Sequence, residues 1–298
     1  MSTQAPTGNF LLDCPRPVQT YHSEPYPRIP PSNFNGQGKS VLITGGATGI
    51  GWAISQAFAE TGVARLVIVS RSPCPLEQAK EELHAGFPGV EVLTFSASMT
   101  DHARMAAILN GLEQVDVLVH CAAATHTFAP TAQIPVVEMH DTFATNVLAS
   151  FALVQAYLAL PPPAGGARTK TVINISSASA HLQIPTQAGY GASKAAFTRI
   201  LSAFASEHTP GKDGVRMFSL HPGAFYTPMA AKQYGEDAFV WEDVRVPAYF
   251  CLWLGLGEEE PEFLHGRFVW AAWDVDELCA LRGRVERIGG LLKIGLVL

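Results

Sequence analysis

The sequence has little charge for its length of 298 residues. Charged residues make up 15% of the chain, and 20 basic against 26 acidic residues leave a net charge of −6. Binding to nucleic acid or to an anionic membrane requires concentrated basic charge, which this composition lacks. We therefore expect neither partner. The 48% share of hydrophobic residues also excludes disordered and collagen-like chains.

Patterns for metal ligands, disulfides and membrane spans are also missing. The five cysteines show neither C-x-x-C spacing nor a disulfide framework, which fits a reducing cytoplasm. The ten histidines form no H-x-x-x-H or H-E-x-x-H pattern, so we expect no metal site. No apolar run reaches the roughly 18 residues of a membrane span, and the N-terminus does not resemble a secretory signal. We expect a cytoplasmic protein.

The first 38 residues contain seven prolines, which disfavour long helices and central strands. They predict an irregular N-terminal arm, 1–38. Its aromatic residues either pin the arm to the protein surface or belong to a loose tail; they are Phe10, Tyr21, Tyr26 and Phe34. No repeat or Gly/Ser-rich linker divides residues 39–298, so we expect one domain there, with a C-terminal extension.

From residue 39, short β-branched runs alternate with stretches of helical spacing. The predicted strands are Ser40–Thr44, Arg65–Ser70, Val90–Phe95, Val115–Cys121, Thr171–Ser176, Val215–Leu220 and Arg267–Trp270. The predicted helices are Gly49–Thr61, Leu76–Ala85, Asp101–Leu112, Val136–Leu160 and Ala188–Glu207. Strands nearly continuous in Val, Ile and Leu are typical of a parallel sheet buried on both faces. The alternation predicts a doubly wound α/β fold.

A glycine-rich turn links the first predicted strand to the first predicted helix. Its residues, 45–51, read G-G-A-T-G-I-G, and a turn in this position points backbone N–H groups and the positive helix end at one spot. A dinucleotide pyrophosphate requires that environment. We predict phosphate binding there; a generic turn that merely uses glycine is the alternative. The predicted cofactor-binding residues of the turn are Gly45, Thr48, Gly49, Ile50 and Gly51.

The end of the second predicted strand bears on the choice of cofactor. NAD sites usually place an Asp or Glu there for the ribose 2′-OH. Here the sequence is Val69-Ser70-Arg71-Ser72, without a carboxylate. Because Arg71 can pair with a 2′-phosphate through a charge-assisted fork, the sequence favours NADP(H). The alternative is an ordinary solvated surface arginine.

A serine, a tyrosine and a lysine form a second candidate site. Tyr190 and Lys194 stand four residues apart on a predicted helix and so share one face. A nearby ammonium favours tyrosinate, and lowering the tyrosine pKa by about 3 units requires roughly 4 kcal/mol. Ser177, at the end of a predicted strand, can donate a hydrogen bond to a substrate oxygen. Taken alone, a Tyr-x-x-x-Lys pair also arises by chance on many helices.

Together these segments resemble the short-chain dehydrogenase/reductase family. The resemblance covers about Lys39–Trp273 and rests on T-G-G-A-T-G-I-G at 44–51, I-S-S at 175–177, Y-G-A-S-K at 190–194 and H-P-G-A-F-Y-T at 221–227. It implies a Rossmann-type fold, with helices on both faces of a single doubly wound parallel sheet. The arm and the tail are similar to fungal members, some of them in secondary metabolism.

The resemblance also implies a role for each matching residue. Tyr190 would be the general acid/base, Lys194 would lower its pKa and hold the nicotinamide ribose, and Ser177 would bind the substrate oxygen. Asn146 would hold a water in the proton relay; a helix-kinking or capping asparagine is the alternative. The segment that folds over the nicotinamide would include Pro222, Gly223 and Thr227, and the pair that selects NADPH would be Ser70 and Arg71.

The sequence departs from the family pattern in three places. The segment His120–Ala123 replaces a common N-N-A-G, and two polar amides are lost with it. Ser98 stands where an Asp often contacts the adenine, and Ala180 replaces a common glycine. These departures bear on sheet stabilisation and cofactor affinity rather than on the chemistry.

The substrate pocket is expected beyond the carboxyl ends of the strands. Its candidate residues are His126, Phe128, His181, Gln183, Phe225, Tyr226 and Met229, although core packing explains Phe225 and Met229 equally well. A loop histidine bonded to backbone or water is the alternative for His181, and His221 is expected to be structural. The apolar segment Ala248–Leu256 predicts a helix near the pocket or a subunit contact. We expect the tail, Ile288–Leu298, to pack on its own subunit or on a neighbour.

The sequence as a whole predicts an NADPH-dependent carbonyl reductase, or an alcohol dehydrogenase in the reverse direction, that acts on a small molecule and forms a homo-oligomer. Two other classes remain open at this point. One is a non-redox isomerase, dehydratase or cyclase on the same scaffold, and the other is a catalytically silent binding protein, because the site and not the fold decides function.

Overall fold

A computed structural model describes residues 10–112, 114–161 and 169–295. Seven parallel strands form one sheet in the order β3-β2-β1-β4-β5-β6-β7. The strands are β1 Ser40–Thr44, β2 Arg65–Ser70, β3 Glu91–Ser96, β4 Val117–His120, β5 Lys170–Ile175, β6 Val215–His221 and β7 Arg267–Trp270. The strand order reverses between β1 and β4, which confirms the predicted doubly wound fold and places a ligand crevice at the carboxyl ends of these two strands.

The α-helices of the described residues cover both faces of the sheet. They are α1 Gly49–Glu60, α2 Pro73–Gly86, α3 His102–Asn110, α4 Val136–Phe143, α5 Ser150–Ala159, α6 Ala188–Glu207, α7 Pro210–Asp213, α8 Arg245–Leu256, α9 Val275–Ala280 and α10 Arg282–Arg287. Strand side chains alternate between the faces. Val41 and Ile43 of β1 share a core with α1, α2 and α8, whereas Leu42 packs with α3, α5 and α6.

The predicted helix over residues 136–160 is interrupted. A π-helical turn, Ala144–Ala149, joins α4 to α5 and carries Asn146. The whole stretch Val136–Ala159 is long and apolar enough to span a membrane by length and composition alone. However, its α5 part is a core helix of this fold, because Leu153, Val154 and Tyr157 are buried against the sheet.

The described part of the N-terminal arm packs against the body of the protein. Leu11, Val18 and Ile29 are buried in the core that also holds α1 and α8. The arm contains two short 3-10 turns, Phe10–Asp13 and Pro31–Asn33. The Phe10 side chain lies outside the described part of the structure, so its expected contact with the protein surface stays a prediction.

The C-terminal segments settle two expectations about packing. The tail folds back on its own subunit, since the Phe268 N–H donates to the Leu292 carbonyl (2.7 Å), although residues 296–298 lie outside the described part. Helix α8 packs against α1, and most of its side chains are buried. The expectation that this segment forms a subunit contact is therefore wrong, because its apolar residues are core. Most of the predicted loop 161–170 also lies outside the described residues.

Candidate active site

The glycine-rich turn lies between β1 and α1, at the carboxyl edge of the sheet. Gly45 and Gly49 have φ angles of +70° and +55°, which residues with a Cβ rarely adopt. A Cβ on Gly51 would lie 2.8 Å from the carbonyl carbon of Gly45, so α1 approaches the turn closely. The turn is a backbone-lined cradle that side chains would fill, and this fits the pyrophosphate of a dinucleotide.

Thr48 and Ile50 lie between these glycines. Thr48 is the exposed N-cap residue of α1, and its side chain makes no capping hydrogen bond. Ile50 is half-buried and packs against the core. Because the Thr48 hydroxyl does not cap the helix, backbone N–H groups of the first turn keep their capacity to bind an anion.

The residues after β2 border the same crevice. Ser70 is half-buried at the end of the strand and Arg71 is exposed. The backbone of Arg71 is fixed by β3, because the Ser96 hydroxyl donates to its carbonyl (3.0 Å). Ser98, one of the departures from the family pattern, hydrogen-bonds the Thr100 hydroxyl at 2.9 Å. The exposed guanidinium of Arg71 is thus free of the core and able to pair with an anion.

The structure brings Ser177, Tyr190 and Lys194 together beside this turn. Tyr190 and Lys194 are on α6, and the Lys194 Nζ lies 5.8 Å from the centre of the Tyr190 ring. Lys194 also donates to the Ile175 carbonyl at the end of β5 (2.8 Å). Ser177 follows β5 and hydrogen-bonds Tyr190. A phenol, a hydroxyl and an ammonium therefore converge at one place.

The Tyr190 pKa differs from the expectation. Burial raises it to about 12, Cys121 adds to the rise, and the hydrogen bond with Ser177 opposes it. Burial also lowers the Lys194 pKa to about 8, against a smaller opposing effect of Cys121. Burial is the largest of these causes, because it disfavours the charged phenolate. Lys194 is not among the groups that shift the Tyr190 pKa, so its role in lowering that pKa stays a prediction.

Asn146 lies in the π-helical turn and is 2% exposed. Its Oδ1 accepts from the Ala124 N–H (2.8 Å), while its Nδ2 donates to the Ala124 carbonyl (2.8 Å) and to Ser193 Oγ (3.0 Å). Ser193 in turn donates to the Tyr190 carbonyl (2.7 Å). The Asn146 side chain thus joins the loop after β4 to the turn of α6 that carries Tyr190.

His120 takes the first position of the altered segment after β4. Its Nδ1 lies 3.0 Å from the Thr44 hydroxyl and its Nε2 lies 2.7 Å from the Ser150 hydroxyl. Burial lowers the His120 pKa to about 3, so the ring is neutral. Ser150 donates to the Asn146 carbonyl (2.9 Å), so His120 connects β1 to the π-helical turn.

Cys121 is a residue whose place in the site was not predicted. Its thiol is near both Tyr190 and Lys194, and it receives a backbone hydrogen bond from Gly51. Burial raises the Cys121 pKa to about 11, so the sulfur is a neutral thiol. Its position in the sequence is the one indication of this place, because Cys121 directly follows β4, the strand that pairs with β1.

The segment after β6 crosses the glycine-rich turn. Pro222 and Gly223 follow the strand directly, and Gly223 has a φ of +120°. A Cβ on Gly49 would lie 3.3 Å from the Thr227 methyl group, so Thr227 faces the turn. Of the three predicted residues of this segment, Thr227 therefore contacts the turn, while the role of Pro222 and Gly223 stays a prediction.

A chain of aromatic rings lines the neighbouring loops. Its members touch in sequence, with centroid distances of 5.0–6.0 Å; they are His126, Phe128, Tyr234, Phe239, Trp241 and Tyr226. Phe225 is instead 7% exposed, and Met229 is 36% exposed. His181 accepts from Trp270 Nε1 (3.1 Å), so its partner is a side chain and not the expected backbone or water. His221 accepts from the Ala178 N–H (3.0 Å), which fits a structural role.

Comparison with known proteins places this chain in a family. The sequence profile of the short chain dehydrogenase family matches residues 39–238. A short chain dehydrogenase/reductase of Aspergillus aculeatus is 54% identical over 95% of this chain and 97% of its own.

Solved structures show the same fold. Levodione reductase has a TM-score of 0.69 at 24% identity, over 80% of this chain and 96% of its own. A short chain dehydrogenase from Shigella flexneri, complexed with NADP, has a TM-score of 0.67 at 20% identity, over 80% of this chain and 98% of its own. From its profile match and its fungal relative, the chain belongs to the short-chain dehydrogenase/reductase family of oxidoreductases.

Proposed function

We propose that this protein reduces a carbonyl group on a small molecule with NADPH, or oxidises the corresponding alcohol in the reverse direction. The observation that carries the proposal is the convergence of Ser177, Tyr190 and Lys194 beside the glycine-rich turn. The family uses NAD(P) cofactors, and the choice of NADPH rests on Ser70 and Arg71.

The cofactor would be held by three groups of residues. The glycine-rich turn would hold the pyrophosphate through Gly45, Thr48, Gly49, Ile50 and Gly51. Arg71, with Ser70, would pair with the 2′-phosphate. The nicotinamide end would lie against Asn146, Tyr190, Lys194, Pro222, Gly223 and Thr227. When bound, NADPH supplies the hydride that the protein itself lacks.

The proposed role of the side chains is to manage the charge on the substrate oxygen. Tyr190 gives its hydroxyl proton to that oxygen, Ser177 donates a hydrogen bond to it, and the Lys194 ammonium stabilises the phenolate left behind. A tyrosine with a pKa of about 12 is protonated at neutral pH and therefore ready to act as an acid. The reverse reaction needs phenolate first.

The test of this function is the variant Tyr190→Phe, which removes one hydroxyl. We expect turnover across a panel of ketones and aldehydes to disappear, while NADPH binding, measured by fluorescence titration, survives. Activity retained in this variant would refute Tyr190 as the proton donor. Tyr249→Phe, a half-buried tyrosine on α8, is the control and keeps its activity.

A second proposal concerns assembly and location. Val136, Leu148 and Phe151, in and around α4 and α5, are 83%, 60% and 40% exposed. Leu148 and Phe151 stand three residues apart and are therefore neighbours on the helix surface. Exposed large apolar side chains of this kind favour contact with a second copy of the chain. Light scattering is expected to give a mass of at least two subunits; a monomer would contradict the proposal.

The proposed location is the cytoplasm. The five cysteines of the structure are free thiols, which suits a reducing compartment.

A further inference from the structure

The N-terminal arm lies outside residues 39–238, the part that matches the family, and yet it reaches toward the candidate active site. Tyr21 forms an isolated antiparallel bridge with Trp273, directly beyond β7. The His22 N–H donates to the Ala272 carbonyl (2.7 Å), and the His22 ring lies 2.9 Å from an Asp274 oxygen. These contacts fix residues 21–22 against the end of the last strand.

From this anchor the arm contacts the segment that precedes α8. The Tyr21 hydroxyl donates to Glu242 Oε1 (2.5 Å), and the Asp243 N–H donates to the Ser23 carbonyl (3.0 Å). The bond to Glu242 has a carboxylate as acceptor and is partly buried, which makes it one of the stronger kinds of hydrogen bond. The arm therefore fixes both the side chain and the backbone of residues 242–243.

Glu242 in turn holds the segment after β6. Its Oε2 accepts from the Ala224 N–H (2.7 Å), and its own N–H donates to the Ala224 carbonyl (3.0 Å). Both backbone groups of Ala224 are thus taken by one residue. Gly223 permits this approach, because a Cβ there would lie 2.5 Å from the carboxylate oxygen. Three residues beyond Ala224, Thr227 faces Gly49 of the glycine-rich turn.

We propose that Tyr21 and Glu242 are positioning residues, through which the N-terminal arm holds the segment 222–227 over the cofactor site. The inference rests on the proposed function only for the identity of the cofactor, since the contacts themselves are independent of it. Neither residue touches the reacting atoms. The arm acts by limiting the positions that residues 222–227 can adopt, so the cofactor does not have to order this segment when it binds.

The experiment compares Tyr21→Phe with Tyr26→Phe in the full-length protein. Each variant removes one hydroxyl from the arm, but the Tyr26 hydroxyl accepts from the Val275 N–H (3.2 Å) and does not contact Glu242. Hydrogen exchange of peptides covering residues 222–230 is measured without cofactor. Thermal unfolding and the Kd for NADPH are measured alongside.

For Tyr21→Phe we expect exchange in residues 222–230 to be faster by about tenfold or more, the effect of losing a hydrogen bond to a charged group worth about 1.5 kcal/mol or more. The Kd for NADPH is expected to rise by a similar factor. Tyr26→Phe leaves both quantities at the wild-type value, even where it lowers the melting temperature.

Two results would overturn the inference. One is equal exchange in residues 222–230 for Tyr21→Phe and the wild type, and the other is an equal effect of the two variants, which would mean that the arm only adds general stability. Failure of the wild type to bind NADPH would instead count against the proposed function. The exchange measurement, made without cofactor, would still decide the role of the arm.

Discussion

The close approach of α1 to the glycine-rich turn makes Gly51→Ala an informative perturbation. The new methyl group would lie 2.8 Å from the carbonyl carbon of Gly45, closer still to its oxygen, and 3.1 Å from the Gly46 Cα. All three are backbone atoms, so no flexible side chain can move aside. Either α1 shifts away from the turn or the turn itself opens.

Two effects of this substitution on stability oppose each other, and their sizes decide whether the variant is more or less stable than the wild type. Alanine in a helix is favoured over glycine by about 0.5–1 kcal/mol. Forcing a methyl group into a close-packed contact costs about 1–3 kcal/mol. Because the contact is with backbone, we expect the upper part of that range and a net loss of stability of about 1–2 kcal/mol. Displacing α1 also moves the N–H groups of the cradle, so the Kd for NADPH is expected to rise at least about tenfold.

Urea unfolding and fluorescence titration with NADPH measure the two effects. Gly86→Ala is the matched control, since Gly86 ends α2, is exposed, and a Cβ there meets nothing within 4 Å. That control keeps its NADPH affinity and is unchanged or slightly more stable. If Gly51→Ala binds NADPH like the wild type and loses no stability, the account of the cradle is wrong.

Three further predictions concern charge. Arg71→Ala should weaken NADPH binding by about tenfold or more and leave NADH binding unchanged in the same titration, because only NADPH offers a 2′-phosphate; equal losses would contradict the choice of cofactor. Burial lowers the pKa of His120 and of His221 to about 3, below the ordinary 6.5, so the folded state binds fewer protons than the unfolded one between these values. Each histidine therefore lowers the free energy of unfolding by about 1 kcal/mol as the pH falls from 7 to 5.5, which urea unfolding at both pH values measures. The variant His120→Asn should lose less stability over this pH range than the wild type. An equal loss would argue against a buried neutral ring. The rate of reduction should fall above about pH 8, where Lys194 loses its charge while Tyr190 stays protonated; a flat rate profile to pH 10 would show that the ammonium is not required.

Much of the fold could be predicted because the strands are local features. The structure gives β1, β2 and β7 the bounds that the sequence predicts, since each is a short apolar run between turn residues. The π-helical turn could not be predicted, because the apolar spacing of residues 136–160 continues through it. Its position is set by contacts from other elements, namely those of Asn146 with Ala124 and of His120 with Ser150.

The candidate site also has a part that local sequence motifs predict and a part that depends on the packed structure. Tyr190 and Lys194 stand on a predicted helix and Ser177 directly follows a predicted strand, so short motifs make them candidates before any fold is known. The direction of the Tyr190 pKa could not be predicted, because it depends on burial, which only the packed structure gives. The contact between Tyr21 and Glu242 joins residues 221 positions apart and leaves no local pattern.

The central claim is that the reaction is a hydride transfer at this site. The most direct measurement uses NADPH carrying deuterium at the transferable position of nicotinamide carbon 4, with mass spectrometry of the product from any carbonyl compound that the protein converts. We expect one deuterium on the new carbinol carbon for each NADPH oxidised. A product that forms without deuterium and without loss of NADPH would contradict the account and support a non-redox reaction on the same scaffold.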